Sequence, residues 1–273
     1  LQLWPVDNLD YIRNIGNCVE LNYKLTPCEH SDSWLFLIHG LFGSADNLAI
    51  VKRHFEAKHN IVSIDLPDHG ESEWTDGFDI ETAAEAVKQI ADQISVKTFA
   101  ILGHSLGGKV AMKLALKYPT RVSHLIVADI APVAYSHRHQ TIFDGLNAVD
   151  LTSLTTRKDA DSAMATVIKE AGVRHFLLKS LYRKENGDWA WKFNLKGLIQ
   201  SYPKIINWQP VESQFTGTTL FIKGAKSDYI ISEYKDDIAR YFPNAKAHII
   251  DGVGHWLHAE KPSVFNAVVE RVL

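Results

Sequence analysis

The stretch Gly103-His104-Ser105-Leu106-Gly107 sets one serine between two glycines, directly after the apolar run "FAIL" and before a helix-like stretch. A hydroxyl held at such a point can attack a carbonyl carbon, provided that a neighbouring base removes its proton, because serine is a weak nucleophile at neutral pH. A tight turn from strand to helix would lift the Ser105 side chain above the strand ends, and side chains at the flanking glycines would obstruct that turn; Gly108 eases the packing further. The helix that opens at Leu106 points its positive end at the same place, so the Leu106 N–H is positioned to stabilise an oxyanion. A second donor is expected from "LIHGLFGS", residues 37–44, another strand end running into a glycine-containing turn. Leu41 is the first choice and Phe42 the alternative, although the Phe42 ring would also suit the wall of an acyl pocket. His39 reads as a structural histidine beneath that loop.

The base is sought downstream of the serine. In "DGVGHWLHAEKP", His255 follows a strand ending near Ile250 and sits in a glycine-loosened loop before the last helix. That is where a catalytic imidazole belongs in this arrangement; His258, three residues on, is the competitor. Two acids satisfy the chain order for orienting His255. Asp228 in "KGAKSDYI" follows a late strand, and Asp129 in "VADIAPV" ends the strand after the serine's helix. The usual acid slot lies three residues beyond the glycine of the late strand; counted from Gly224 it falls on Ser227, and Asp228 is one residue too far.

These residues need a scaffold. Short apolar runs ("NCVELNYKL", "WLFLIH", "NIVSID", "TFAILG", "VSHLIVAD") alternate with helix-like stretches near 45–57, 79–94 and 106–118. Strand and helix in turn predict a parallel sheet covered by helices on both faces. From about Pro132 to Phe215 the rhythm changes to helix-like pieces with many charges and the aromatic cluster Trp189, Trp191, Phe193, Tyr202 and Trp208. The alternation then resumes with "TTLFIKG", a helix near 232–241, "AKAHIID" and a last helix from Pro262. The expected organisation is a core of residues 1–131 and 216–273 with a helical cap insertion over 132–215.

Composition excludes several classes. The 273 residues are 46% hydrophobic, enough for one substantial core, and the formal charge of −3 lacks the basic surplus of a nucleic-acid binder. Only Cys18 and Cys28 are present, which rules out a disulfide framework, and neither lies in a metal-ligand spacing. No carboxylate and histidine cluster, His137 and His139 included, suggests a metal. No apolar run approaches the roughly 18 residues of a membrane span, and "LQLWPVDNLD" lacks the pattern of a secretory leader. The expected location is cytoplasmic. Leu1 stands where a methionine would begin a chain, as expected after processing or at a cut boundary.

Over nearly the whole chain, "HGLFGSADNL", "DLPDHGES", "GHSLGGKVAM", "ADIAPV", "FLLKSL" and "GHWLHAEKP" resemble the α/β-hydrolase family, and within it the YbfF-like bacterial esterases and their mitochondrial abhydrolase relatives. The resemblance implies an α/β-hydrolase fold, with a mostly parallel eight-stranded sheet and a helical cap after strand six. It implies that Asp129 is the acid, since the group carries it in the "DIAPV" segment. It also implies a serine hydrolase acting on carboxylic esters or thioesters of short to medium acyl chains through an acyl-enzyme, with no cofactor and a small-molecule substrate. The residues read alone agree on Ser105 and His255, with Asp129 or Asp228 as the third member of a catalytic triad, on Leu41 and Leu106 as oxyanion donors, and on Phe42, Trp256 and the cap aromatics as candidates for an acyl pocket. Two other functions use the same fold. One is a C–C hydrolase or lyase on a carboxylated substrate, which Arg138 or Arg174 of the cap would bind; the other is a non-catalytic ligand receptor.

Overall fold

Runs such as Leu125–Ala128, apolar on successive residues, are what a parallel strand requires when helices cover both of its sides. In the computed structural model, which describes residues 19–273, nine strands are found: β1 (Tyr23–Thr26), β2 (Trp34–Ile38), β3 (Asn60–Ile64), β4 (Phe99–His104), β5 (Val122–Ala128), β6 (Leu181–Arg183), β7 (Trp189–Trp191), β8 (Thr218–Gly224) and β9 (Ala245–Ile250). Seven of them form one sheet in the order β1-β3-β2-β4-β5-β8-β9, parallel throughout except for the edge strand β1. Eight strands were expected, and seven make up the sheet among the described residues; "NCVELNYKL" contributes β1, while Leu1–Cys18, with the leader reading and Cys18, lie outside them.

The helices are α1 (Ala49–Phe55), α2 (Ile80–Gln93), α3 (Leu106–Lys117), α4 (Gln140–Asn147), α5 (Arg157–Ala165), α6 (Ala171–Leu178), α7 (Leu195–Ile206), α8 (Lys235–Tyr241), α9 (Leu257–Glu260) and α10 (Pro262–Glu270). The two-residue period of the strands sorts side chains to two cores. Phe99 and Ile101 of β4 join Val87 of α2 and Val110 of α3 on one face. Ala100 and Leu102 join Val51 of α1 and Phe265 of α10 on the other. Both layers place helix N-termini and loops at the carboxyl end of the sheet, where β2, β4, β5 and β8 finish at Ile38, His104, Ala128 and Gly224.

The insertion enters after the fifth strand of the described chain rather than after a sixth. It is not wholly helical: between α6 and α7 it carries the antiparallel hairpin β6–β7, which pairs Leu181 with Trp191 and Arg183 with Trp189. The signal lay in "ENGDWAW", where Asn186-Gly187 precedes an aromatic run and Gly187 takes φ +91°. The insertion is fastened to the core by two lysines of α3. Lys109 Nζ donates to the carbonyls of Ile206 and Asn207 at 2.7 and 2.9 Å, and Lys113 Nζ to that of Gln209 at 2.5 Å. Both amines thereby donate to carbonyls at or just beyond the carboxyl end of α7, where a helix leaves its last carbonyls without intrahelical partners.

The close approach of α3 to β2 depends on Gly107. A Cβ there would stand 2.4 Å from the Ile38 carbonyl oxygen and 2.5 Å from that of His39, both backbone atoms with no room to yield. Gly107→Ala is therefore expected to cost about 1–3 kcal/mol, as overpacking of a dense core does, read as a lower urea midpoint with an unchanged slope.

Candidate active site

Ser105 is the N-cap of α3 and adopts φ +52° and ψ −117°, a conformation that a non-glycine residue keeps only when its surroundings enforce it. Here the Ser105 N–H is tied to the Ala128 carbonyl at 2.9 Å, and Gly103 lets the chain fold back so closely that a Cβ would meet Gly107 O at 2.2 Å. The Leu106 N–H, at the start of the helix, has no acceptor among the described residues, and neither has that of Leu41. Phe42 differs. Its N–H donates to His69 Nε2 at 3.0 Å and its carbonyl accepts from Ser180 Oγ at 2.8 Å, so that of the two alternatives only Leu41 retains an unengaged donor.

Asp129 follows β5 directly, is fully buried, and also sits at positive φ, +56°. Its Oδ2 accepts the His255 Nδ1 proton at 2.7 Å and the Ser227 hydroxyl, and its Oδ1 accepts the Gly224 N–H at 3.0 Å. A buried carboxylate is tolerable only with its lone pairs occupied in this way. Asp228, by contrast, points outward with 72% of its side chain exposed and pairs with Arg138. Ser227, in the slot counted from Gly224, thus hydrogen-bonds to the acid of the neighbouring strand instead of supplying one.

His255 is held from three sides. Besides Asp129, its carbonyl accepts from His104 Nε2 at 2.8 Å, and the Tyr229 ring stacks on the imidazole at 3.9 Å and 19°. His258 is buried one turn away against His104 and Phe265 and does not line the cavity. Ser105, His255 and Leu41 border one cavity of about 150 Å³, with Ile142 of α4, Val173 and Phe176 of α6, and Trp256 as apolar walls. Phe42 also lines it, its ring packed against Phe143 and Phe193. Trp256 lies 5.4 Å from Phe176.

The cap aromatics fall differently from the acyl-pocket reading. Trp191 stacks on Phe193 and Trp208 packs on Tyr241, so these rings fill the interior of the insertion and its seat. Trp189 lies on a separate groove, and Tyr202 alone reaches a second, smaller cavity beside Ser105. The arginines are engaged too: Arg174 with Asp161 and the carbonyls of Ile168 and Lys169, and Arg138 with Asp228 and the face of Tyr229. His69, Ser180 and Tyr229 were given no role by the sequence reading, although His69 lies in "DLPDHGES" and Ser180 in "FLLKSL"; Ser227 entered it only as the place of the usual acid slot.

Residues 33–262 match the family described as alpha/beta hydrolase fold, and the chain belongs to it. It is 37% identical over 246 residues to esterase YbfF of Escherichia coli, covering 90% of this chain and 94% of that one. It is 31% identical over 264 residues to the mouse (Mus musculus) protein named sn-1-specific diacylglycerol lipase ABHD11, covering 93% and 85%. Among solved structures, a marine microorganism esterase superposes with a TM-score of 0.90 at 32% identity, covering 93% of this chain and all of that one. The chain is thus a hydrolase of the esterase and lipase type. No helix among the described residues is long and apolar enough to cross a membrane.

The histidines around the site make its stability depend on pH. Burial lowers the pKa of His39 and His104 and draws those of His69 and His258 down to about 3 and that of His139 to about 4. Once unfolded, each returns to an ordinary value near 6.5, so below that pH the unfolded chain binds more protons and stability falls as pH falls. The stabilisation is complete above about 6.5 and is lost progressively toward pH 3–4. Each such histidine contributes a slope of up to about 1.4 kcal/mol per pH unit. Urea unfolding is expected to show a steep loss of stability between pH 6.5 and 5; a flat profile would contradict neutral buried rings.

Proposed function

We propose that the chain cleaves carboxylic esters or thioesters of short to medium acyl chains through an acyl-enzyme on Ser105. One observation carries the reading: Ser105, at its strained turn, shares a cavity with His255, whose Nδ1 proton is held by buried Asp129 at 2.7 Å. In the first step Ser105 Oγ bonds to the acyl carbon while His255 Nε2 takes the hydroxyl proton, and the carbonyl oxygen becomes an oxyanion facing the N–H groups of Leu41 and Leu106. Collapse breaks the bond to the alcohol or thiol, which leaves with the proton from His255. Water then attacks the acyl carbon, gives a proton to His255, and the acid departs as Ser105 recovers its hydrogen. Asp129 keeps the imidazole proton on Nδ1, so that Nε2 stays free to act as base. In the same reading residues 132–215 act as a cap over the core formed by 1–131 and 216–273, its helices α4 and α6 supplying the apolar wall for the acyl chain.

Fluorophosphonate labelling and a series of p-nitrophenyl esters and acyl thioesters test this. Ser105→Ala should stay folded, take no label and lose about 10⁴-fold or more in kcat. Near wild-type turnover in that variant would sink the proposal. Asp129→Asn should lose about 10⁴-fold, as removal of the tautomer-fixing acid does, and Asp228→Asn about tenfold or less; the reverse order would move the acid to the late strand.

Chain length is tested separately. Each methylene that enters the cavity should add up to about 0.8 kcal/mol of binding until the space is filled. Trp256→Ala should shift the preferred acyl length upward, whereas an unaltered profile would leave Trp256 as packing alone.

A further inference from the structure

Two buried histidines join the loop after β2 to the loop after β3 in a reciprocal fashion. His39, immediately after β2, accepts the Leu66 N–H on its Nε2 at 3.0 Å. His69, on the loop after β3, accepts the Phe42 N–H on its own Nε2 at 3.0 Å. Backbone N–H groups only donate, so each ring must present a bare Nε2 and carry its proton on Nδ1. The remaining contacts agree, since Nδ1 of His39 lies 2.8 Å from Gly40 O and Nδ1 of His69 lies 2.8 Å from Pro67 O, both acceptors. The rings stand 5.2 Å apart and neither is exposed. A protonated ring would set N–H against N–H and open the clasp.

Phe42 is held at φ +63°, and with its N–H turned to His69 and its carbonyl to Ser180 Oγ, the peptide on either side has no freedom to rotate. Asp65 adds a further tie between the same two loops, its Oδ1 accepting the Ala45 N–H at 2.7 Å. The consequence falls on the residue before Phe42: Leu41 borders the Ser105 cavity, and its N–H has no acceptor among the described residues while its neighbour's is engaged. From this geometry we propose that His69, braced by His39, is a positioning residue for the oxyanion hole, aligning the Leu41 N–H for the transition state without touching substrate. This rests on the reading of Ser105 as nucleophile.

His69→Leu keeps apolar volume and removes the acceptor, whereas His69→Gln restores an acceptor for the Phe42 N–H. His69→Leu should lower kcat about 10²-fold with KM within about threefold of wild type, because a misaligned donor weakens only the transition state. His69→Gln should recover most of that loss. The rate ratio of an oxygen ester to its thionoester, whose sulfur draws less on the N–H donors, should fall in His69→Leu and return in His69→Gln. A purely structural histidine would instead lower the melting temperature and slow both substrates alike, leaving that ratio unchanged, and this outcome would overturn the proposal, as would wild-type kcat in His69→Leu. Nitrogen-15 spectra of wild-type enzyme bear on it even if the variants do not fold: His69 should show the neutral Nδ1–H tautomer from pH 5 to 8, and an Nε2–H tautomer would refute the clasp. Wild-type protein that neither hydrolyses esters nor takes fluorophosphonate would defeat the reading of the site itself; a competent wild type with indifferent His69 variants would defeat this inference alone.

Discussion

A carboxylate with none of its surface open to water has to be met on every side by donors, and Asp129 is where that requirement organises the molecule. Its donors come from two places far apart in sequence. Gly224 and Ser227 lie at the end of β8 and just beyond it, and His255 comes from the loop after β9. β5 and β8 must therefore finish level with each other, and their parallel register, Ala128 opposite Ile222, achieves this while the Asp129 N–H is bound by the Ile222 carbonyl at 2.8 Å. The His255 loop is then drawn over the same point. A shift of one residue in any of the three segments would leave a buried charge short of a partner, an error costing several kcal/mol.

The insertion reaches the site through polar anchors more than through its aromatic interior. Lys109 and Lys113 close the end of α7, Ser180 holds the Phe42 carbonyl, and His139 meets both Tyr202 and Tyr229. Ser180 and His139 thereby fix Phe42 and Tyr229, which border the Ser105 cavity, and the lysines fix α7, whose Tyr202 borders the smaller cavity beside Ser105. The apolar walls themselves, Ile142, Val173 and Phe176, can then vary in bulk without disturbing the backbone donors.

How far the sequence reveals this follows from where the information resides. The places of Ser105 and His255 were readable because their signals are local: a glycine-flanked turn between strand and helix, and an imidazole in a loosened loop after the last strand. The parallel sheet and the boundaries of α2 and α10 were readable from period and from the capping residue Asp79 and Pro262. Choosing Asp129 over Asp228 took the family resemblance, since both stand near strand ends and chain order admits either. The cavity walls were hidden because an isoleucine facing a cavity and one facing the core have the same neighbours in sequence. His69 was hidden for another reason: its partner is a backbone N–H, which carries no residue identity to search for.

Ser227 and Asp228 show what a single residue of displacement does at a strand end. Ser227 turns inward and adds its hydroxyl to the oxygen that His255 also uses, while Asp228 turns outward to Arg138. Yet Asp228 is not detached from the site. Arg138 lies 4.3 Å above the Tyr229 ring, and the opposite demand on that ring is the stack with His255 at 3.9 Å. A guanidinium facing an aromatic ring is favourable, and it is more so when a carboxylate holds the guanidinium in place. The acid outside the proposed triad thus helps to seat the tyrosine on which the imidazole rests, and the one-residue shift divides two tasks, burial of the charge and support of the imidazole, between adjacent side chains.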